Sequence, residues 1–236
     1  MIAPAVRHMV FEHADGEAFA FIPGQFIQIH FSYGDGQATK RSYSVATLGA
    51  GDATPVGQIE IAVSYVDGGA ATELLGGLAL GAVVDASGPY GRFCLLNADT
   101  NARYLLVGTG TGITPYRAML PLITKLIQTR GCTFELIQGA RNEADLLYGD
   151  EFAAFAEATP GFGFHACFSR EPRAVPRAGD YTGRVQVAIE ALKPDPASDV
   201  FYLCGNPDMV DQSFALLKDA GFAVSQLRRE KYISAR

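Results

Sequence analysis

Tryptophan is absent from this 236-residue chain, and cysteine, histidine and methionine occur only four times each. The cysteines lie at positions 94, 132, 167 and 204, too far apart for a Cys-x-x-Cys motif, and the histidines are as widely scattered. This spacing excludes a local zinc or iron–sulfur motif, so we expect no metal site and four separate thiols. If the function of this protein requires an iron–sulfur centre, that centre must belong to another protein.

Long hydrophobic runs are absent as well. No apolar segment is long enough to span a bilayer, and the N-terminus lacks the pattern of a signal peptide. The formal net charge of −6 argues against nucleic acid as the main partner. We therefore expect a cytoplasmic protein that binds neither membrane nor nucleic acid. Hydrophobic residues, at 48%, are sufficient for two domains with cores of their own.

The pattern of the chain changes near residue 98. Before this point, short alternating segments broken by Gly, Asp and Pro predict strands at 5–12, 18–21, 26–31, 41–46, 58–65 and 82–87, with a helix at 71–78. After it, strands at 103–107, 133–138, 163–169, 200–204 and 223–229 alternate with helices at 115–130, 144–157, 185–192 and 207–220. We predict an antiparallel β-barrel over residues 1–98 and an α/β doubly wound parallel sheet over residues 99–236.

A glycine-rich loop follows the first strand of the second half. Gly108, Gly110 and Gly112 precede Thr114-Pro115, a pair that can cap and begin a helix. Bare backbone can approach a ligand closely, and a helix N-terminus favours a phosphate. However, Ile113 stands where the dinucleotide fingerprint G-x-G-x-x-G has its third glycine. Taken alone, the loop fits either a phosphate site or a plain tight turn.

Further polar loops follow the other strands of this half. They are Gly139-Ala140-Arg141, Ser169-Arg170-Glu171 and Cys204-Gly205-Asn206-Pro207. Ligands of doubly wound sheets bind at the carboxyl ends of the strands, so these loops and the glycine loop are expected to meet at one ligand.

In the first half, Arg41 and Tyr43 share one face of a predicted strand. A guanidinium can grip a pyrophosphate, and an aromatic ring can stack on a planar heterocycle. The alternative is an edge strand with a surface arginine and a half-buried tyrosine.

Five motifs occur in order along the chain. They are Arg41-Ser42-Tyr43-Ser44, Gly68-Gly69-Ala70-Ala71-Thr72, Gly88-Pro89-Tyr90-Gly91-Arg92-Phe93, the segment from Gly108 to Pro115, and Cys204-Gly205-Asn206-Pro207-Asp208-Met209. Together they resemble the motif set of the ferredoxin–NADP reductase family over nearly the whole chain. The compact length and the Glu-x-Tyr near the C-terminus resemble the bacterial ferredoxin/flavodoxin–NADP reductases in particular.

The resemblance implies that the first half binds FAD. The implied FAD-binding residues are Arg41, Ser42, Tyr43, Ser44, Gly68, Gly69 and Thr72. Arg41 would bind the pyrophosphate together with the backbone before the helix, where Thr72 adds a hydroxyl. Tyr43 would stack on the isoalloxazine, and Ser44 would hydrogen-bond near the ring nitrogen that receives the hydride.

The second half would bind NADP(H). The implied residues are Gly108, Thr109, Gly110, Thr114, Arg141, Ser169, Arg170, Arg184, Cys204 and Gly205. A 2′-phosphate needs cationic partners. Arg141 and Arg170 follow two neighbouring predicted strands, and Arg184 precedes the next helix, so all three are expected at the converging strand ends. An acidic residue at the second strand end would favour NAD instead, but Glu143 is placed as a helix-start charge. Each arginine alone would be read as a solvated surface charge.

Four residues are implied to act at the reaction centre, namely Ser44, Cys204, Glu230 and Tyr232. Cys204 would lie by the nicotinamide, and none of the four needs to be a strong acid or base. Related reductases carry an aromatic residue near the C-terminus that covers the second flavin face. Tyr232 is the candidate here, but four residues follow it, so a tyrosine that only packs at the domain interface is the alternative.

We predict that the protein is an FAD-containing NADPH oxidoreductase of the ferredoxin–NADP(+) reductase type. It is expected to act as a monomer and to exchange electrons with ferredoxin or flavodoxin. An acidic carrier needs a basic docking face, for which the candidates are Lys40, Arg92, Arg228, Arg229, Lys231 and Arg236. The alternatives are an NAD(P)H-dependent flavin reductase, the reductase component of an oxygenase, a non-catalytic flavin-binding subunit and a phosphate-binding protein without flavin.

Overall fold

The computed structural model describes residues 1–33, 35–49, 55–65, 68–96 and 98–232. These residues form two compact units. The first comprises Met1–Leu95 together with the segment Thr114–Leu122, and the second comprises Leu96–Ile113 and the described residues from Ile123 onward.

Two antiparallel sheets build the first unit. Its elements are β1 (Val6–Glu12), β2 (Phe26–Ser32), β3 (Ala38–Ser44), β4 (Gln58–Ser64), α1 (Ala70–Gly77) and β5 (Asp85–Tyr90). Strand β1 pairs with β4, and β2 lies between β3 and β5. A single bridge between Val45 and Ile61 joins the two sheets. The predicted antiparallel architecture is thus confirmed.

The predicted strand at residues 18–21 is wrong, because only one bridge, between Phe19 and Val56, forms there. Gly16 and Gly24 on either side adopt positive φ angles, and Pro23 has no N–H to donate. The chain therefore turns before a ladder can extend.

The core of the first unit includes a segment that lies far along the chain. Ile27, Ile61 and Leu75 pack with Ala118, which belongs to the segment Thr114–Leu122. Arg117 beside it donates to the Ala46 carbonyl oxygen at 2.7 Å and pairs with Glu60 at 2.5 Å. Because the Arg117 side chain is only 12% exposed, these partners are needed to keep its charge buried.

A six-stranded parallel sheet forms the second unit. Its strands are β6 (Arg103–Thr109), β7 (Thr133–Ala140), β8 (Phe162–Phe168), β9 (Asp180–Thr182), β10 (Asp199–Gly205) and β11 (Leu227–Lys231), in the order β11-β10-β6-β7-β8-β9. Every neighbouring pair is parallel. The order reverses between β6 and β10, which makes their carboxyl ends the switch point at which such sheets bind ligands. The predicted doubly wound sheet is confirmed.

Four helices complete the chain, namely α2 (Thr114–Arg130), α3 (Gly149–Ala158), α4 (Val185–Ala191) and α5 (Pro207–Asp219). On one face of the sheet, Ile189 of α4 and Val210 of α5 pack with Leu105 and Phe201. On the other face, the Phe152 ring of α3 lies 5.7 Å from that of Phe164. Burial on both faces explains why the strands are nearly continuous apolar runs.

Several boundaries differ from the prediction. The expected helix at 144–157 is a 3-10 turn, Glu143–Asp145, and then α3, because Tyr148 adopts a φ of 55° between them. The expected strand at 223–229 begins with a second 3-10 turn, Val224–Gln226, before β11. Strand β9 was not predicted, since three residues are too few to show a periodicity.

All four cysteines lie within the described residues, where they are buried and form no disulfide. Cys167 lies in β8 and Cys204 in β10, whereas Cys94 and Cys132 lie outside the strands. None of the helices in the described ranges combines the length and apolar character that a membrane crossing requires.

Candidate functional site

At the switch point, the loop after β6 packs directly on the end of β10. A Cβ atom on Gly112 would lie 2.5 Å from both the Cys204 carbonyl oxygen and the Gly205 Cα. A Cβ atom on Gly205, whose φ is +122°, would lie 2.5 Å from the Thr109 carbonyl oxygen. Both approaches require glycine. The close contact expected of the third fingerprint glycine is therefore made by Gly112, and Ile113 is buried beside it.

The same loop leaves open space at Gly110. Its φ is +54°, and no atom of the described residues lies within 4 Å of the position that a Cβ would take. Thr109 is fixed next to it, because its Oγ1 accepts a hydrogen bond of 3.1 Å from the Asn206 N–H. Asn206 itself caps α5, where its Oδ1 accepts from the Asp208 and Met209 N–H groups. This cradle of open backbone fits the pyrophosphate of a nicotinamide nucleotide.

Thr114 does not cap α2, contrary to the prediction. Residues Gly110–Ile113 form a 3-10 turn, so the helix follows that turn directly and Thr114 is its first residue. Its side chain is buried, and Oγ1 has no hydrogen-bond partner within the described ranges. A buried hydroxyl without a partner is uncommon and is compatible with a contact to a ligand.

Backbone hydrogen bonds bring the predicted 2′-phosphate loops to one sheet edge. The Arg141 carbonyl oxygen accepts from the Arg170 N–H at 3.0 Å, and the Ser169 N–H donates to Ala140 at 3.0 Å. The residue before Arg184 is tied to the end of β8 by a bond of 2.8 Å from the Gly183 N–H to the Phe168 carbonyl oxygen.

The side chains of these arginines differ in their partners. The Arg141 guanidinium is bound by Asp145, a residue that the sequence reasoning did not identify. Arg184 donates to Gln212 of α5 at 3.2 Å. The Arg170 side chain is exposed and forms no ion pair with any residue that the structure describes. The predicted nucleotide roles of all three remain predictions.

Cys204, Glu230 and Tyr232 come together at the ends of β10 and β11. Cys204 is paired in register with Glu230, and the Tyr232 N–H donates to the Gly205 carbonyl oxygen at 2.8 Å. Burial raises the pKa of the Cys204 thiol well above its ordinary value. The nearby Glu230 raises this pKa further, whereas a hydrogen bond with Tyr232 lowers it. Burial also raises the pKa of Glu230 to about 7. The thiol is therefore neutral near neutral pH, and Glu230 is partly protonated. Ser44, the fourth predicted catalytic residue, belongs to the first unit.

In the first unit, β3 presents Arg41 and Tyr43 on one face as predicted. The Arg41 guanidinium donates to Tyr33 Oη at 2.8 Å and to Thr39 Oγ1 at 3.1 Å, so its direction is fixed. Tyr43 packs against the core, and this burial raises its pKa to about 12. Ser42 points to the other face, where it accepts a hydrogen bond from Gln28 at 3.3 Å.

The start of α1 fits a phosphate-bearing ligand. Gly69 is the N-cap residue, and no side chain of the described residues caps the helix. Gly68 before it has a φ of +71° and open space around the position of a Cβ. Tyr65, which was not predicted, is packed against Gly76 and has a buried hydroxyl without a partner in the described residues. Helix N–H groups and an unsatisfied phenol are groups that FAD could satisfy.

Part of the predicted basic docking face is engaged in internal contacts, and its role in docking stays a prediction. Arg228 donates to Asp99 at 2.7 Å and to Tyr202 at 2.8 Å, and Lys231 pairs with Asp211 at 2.7 Å. These acids are distant in sequence, so the pairing could not be anticipated. Arg229 lies over the Phe214 ring at 4.0 Å. Arg236 lies outside the described residues.

The raised pKa of Glu230 has a measurable consequence. The folded protein holds this proton up to a pH of about 7, whereas the ordinary carboxyl releases it near 4.5. The free energy of unfolding of the wild type, relative to Glu230→Gln, should therefore fall by about 3 kcal/mol as pH rises through that window, and then level off. Urea denaturation between these pH values measures the difference. Glu157→Gln, on the exposed surface of α3, is the control and should follow the wild type. Parallel curves for Glu230→Gln and wild type would contradict the assignment.

Comparisons with known proteins agree with this arrangement. The chain matches the oxidoreductase FAD-binding domain family over residues 1–94 and the oxidoreductase NAD-binding domain family over residues 106–213. It is 36% identical over 216 residues to ferredoxin–NADP reductase B of Sorangium cellulosum, an alignment that covers 89% of this chain and 84% of that protein.

Two further similar proteins are named as reductases. The chain is 31% identical over 219 residues to the propane 2-monooxygenase reductase component of Rhodococcus jostii, covering 92% of this chain but only 56% of that one. The crystal structure of the Amycolatopsis cytochrome P450 reductase GcoB matches with a TM-score of 0.83 at 31% identity, covering 100% of this chain and 68% of that one. The chain thus spans little more than half the length of the Rhodococcus relative. With its FAD-binding and NAD-binding domains in this order, the chain belongs to the ferredoxin–NADP reductase family of oxidoreductases.

Proposed function

We propose that the protein transfers electrons between NADPH and a one-electron carrier, ferredoxin or flavodoxin. FAD, when bound, supplies the chemistry, since it takes up a hydride from a nicotinamide and releases electrons singly. The observation that carries the proposal is the cradle at the switch point. There, Gly112 and Gly205 allow a close backbone approach, and Gly110 leaves its surface open to a ligand among the described residues.

FAD would be held by the first unit. Arg41 and the uncapped start of α1 are proposed to bind the pyrophosphate, with Thr72 in the first turn of the helix. Tyr43 is proposed to cover one face of the flavin ring, and Ser44 to hydrogen-bond at its edge. The fixed direction of the Arg41 guanidinium supports this role, because a prearranged donor loses little freedom on binding.

The nicotinamide nucleotide would be held by Gly108, Thr109 and Gly110, with Thr114 offering its unsatisfied hydroxyl. Cys204 would contact the nicotinamide as a neutral thiol. Glu230 would hold or release a proton beside it. We also propose that Tyr232 covers the second flavin face. The alternative, a tyrosine that only packs at the end of the sheet, is compatible with the same backbone bond to Gly205.

NADP(H) is proposed over NAD(H) because of Arg141, Ser169, Arg170 and Arg184, whose backbones meet at one edge of the sheet. A cytoplasmic, monomeric protein is proposed, and four cysteines without a disulfide suit a reducing compartment. The reductase component of an oxygenase is the second candidate, since the Rhodococcus relative is named the reductase component of a propane 2-monooxygenase. An NAD(P)H-dependent flavin reductase is the third, and it would bind flavin only loosely.

The purified protein should retain FAD through dialysis, and NADPH should bleach its absorbance under anaerobic conditions. We expect NADH to need roughly tenfold higher concentration, because charged hydrogen bonds to a 2′-phosphate are worth about 1.5–3 kcal/mol. Arg170→Gln should remove most of this difference by weakening NADPH alone. Arg177→Gln is the matched control on the same loop, where it breaks only an exposed pair with Asp150. A colourless protein, or equal titration by both nucleotides, would refute the proposal.

Docking of the carrier is proposed at Lys40 and Arg92, which are exposed cations of the first unit without an ion pair to any described residue. The double variant Lys40→Glu/Arg92→Glu should slow reduction of ferredoxin by about fivefold or more at low salt, and should flatten its dependence on ionic strength. Reduction of an uncharged quinone should be unchanged. Lys218→Glu, on α5, is the control for charge alone. A wild-type rate independent of salt would count against this surface.

A further inference from the structure

The Arg141 guanidinium is already bound by a carboxylate. Its Nε donates to Asp145 Oδ2 at 2.6 Å, and its Nη2 donates to Asp145 Oδ1 at 3.0 Å. The Arg141 side chain is 56% exposed, whereas that of Asp145 is only 16% exposed. One edge of the guanidinium fork is therefore fully used, and Nη1 alone forms no hydrogen bond with a described residue.

Asp145 sits on a turn that is held from several sides. Its N–H donates to Asn142 Oδ1 at 3.1 Å, which fixes the turn Glu143–Asp145. Glu143 in turn accepts a hydrogen bond of 2.7 Å from Arg173. Arg173 is buried and also donates to both oxygens of Asp180 at 3.1 Å. The carboxylate of Asp145 is thus presented from an anchored backbone, and the exposed arginine is the partner that can move.

A carboxylate and a phosphate compete for the same guanidinium edge, because both are anions with two oxygens that can accept a pair of parallel hydrogen bonds. The carboxylate also repels a phosphate dianion at short range. A ribose 2′-hydroxyl, by contrast, can donate to a carboxylate, as the acidic residue of NAD-binding sheets illustrates. A carboxylate beside Arg141 therefore weakens the binding of a nucleotide that carries a 2′-phosphate and favours the binding of one with a free 2′-hydroxyl.

We propose that Asp145 is a specificity-determining residue which, by occupying Arg141, limits the preference for NADPH over NADH. The proposal rests on the proposed function, in which Arg141 faces the 2′-phosphate. Arg141 and Asp145 form one ion pair, yet Arg141 favours NADPH and Asp145 favours NADH. The preference for NADPH over NADH is then set by how readily Arg141 exchanges Asp145 for the 2′-phosphate, and not by the number of arginines alone.

The test is the affinity of the oxidised, FAD-loaded protein for NADP⁺ and NAD⁺, measured by titration calorimetry. Asp145→Asn should tighten NADP⁺ binding about five- to tenfold while NAD⁺ binding stays equal or weakens, since one charge-assisted competitor is removed. Asp150→Asn makes the same charge change five positions away, at a side chain that is 91% exposed and pairs with Arg177. It should alter neither affinity by more than about twofold.

A double-mutant cycle with Arg141→Gln decides whether Asp145 acts through the arginine. In the Arg141→Gln background, Asp145→Asn should no longer improve NADP⁺ binding. The proposal is overturned if the gain persists there, if both nucleotides gain equally, if neither changes, or if NADP⁺ binds more weakly. Failure of the proposed function is visible separately, as wild-type protein that binds the nucleotides but whose flavin is not bleached by NADPH. If wild type binds neither nucleotide, both proposals fall.

Discussion

The structure of the second unit depends on the absence of side chains at one contact, where the backbone of Gly112 meets that of Cys204 and Gly205. The loop after β6 can reach the end of β10 only because no Cβ stands between them. This approach fixes Thr109, which accepts from Asn206, and Asn206 in turn caps α5. The proposed nucleotide cradle is thus assembled by close packing within the chain itself.

The same end of β10 also holds Cys204, which is proposed to lie beside the reaction centre. Cys204 is the last residue of β10 to pair with β6, and it is also in register with Glu230 of β11. Burial at this point keeps the thiol neutral and raises the pKa of Glu230 to about 7. The site can therefore hold a proton without carrying a strong base. A carboxyl group near its pKa is suited to positioning and to proton exchange rather than to chemistry of its own.

Internal ion pairs consume much of the positive charge of this acidic chain. Arg228 binds Asp99, Arg103 binds Asp199 and Arg173 binds Asp180, and each of these acids is largely buried. Such pairs satisfy charges that the sheet and its loops bury, so they contribute to the definition of the fold more than to partner binding. Lys40 and Arg92 lack such acids in the described ranges, which is why the proposed docking surface shrinks to them.

The sequence was sufficient where a pattern is local. Continuous apolar runs such as residues 103–107 predicted the buried parallel strands, and the ordered motifs predicted the family. It was insufficient where the outcome depends on loops that meet in space. Arg228 and Asp99 are 129 positions apart, and the pairing of Arg141 with Asp145 requires a 3-10 turn where a helix was expected. Thr114 was expected to cap a helix, but the preceding 3-10 turn makes it the first helical residue.

The most direct test of this account is the affinity of Gly112→Ala for NADP⁺, measured on protein that still retains FAD and unfolds cooperatively. The added methyl would lie 2.5 Å from the Cys204 carbonyl oxygen and 2.5 Å from the Gly205 Cα at the end of β10, so the cradle must open. We predict a loss of NADP⁺ affinity of about tenfold or more with FAD binding intact, whereas Gly57→Ala, in open space, should bind as wild type. Unchanged NADP⁺ affinity in Gly112→Ala would contradict the claim that this contact forms the nucleotide site.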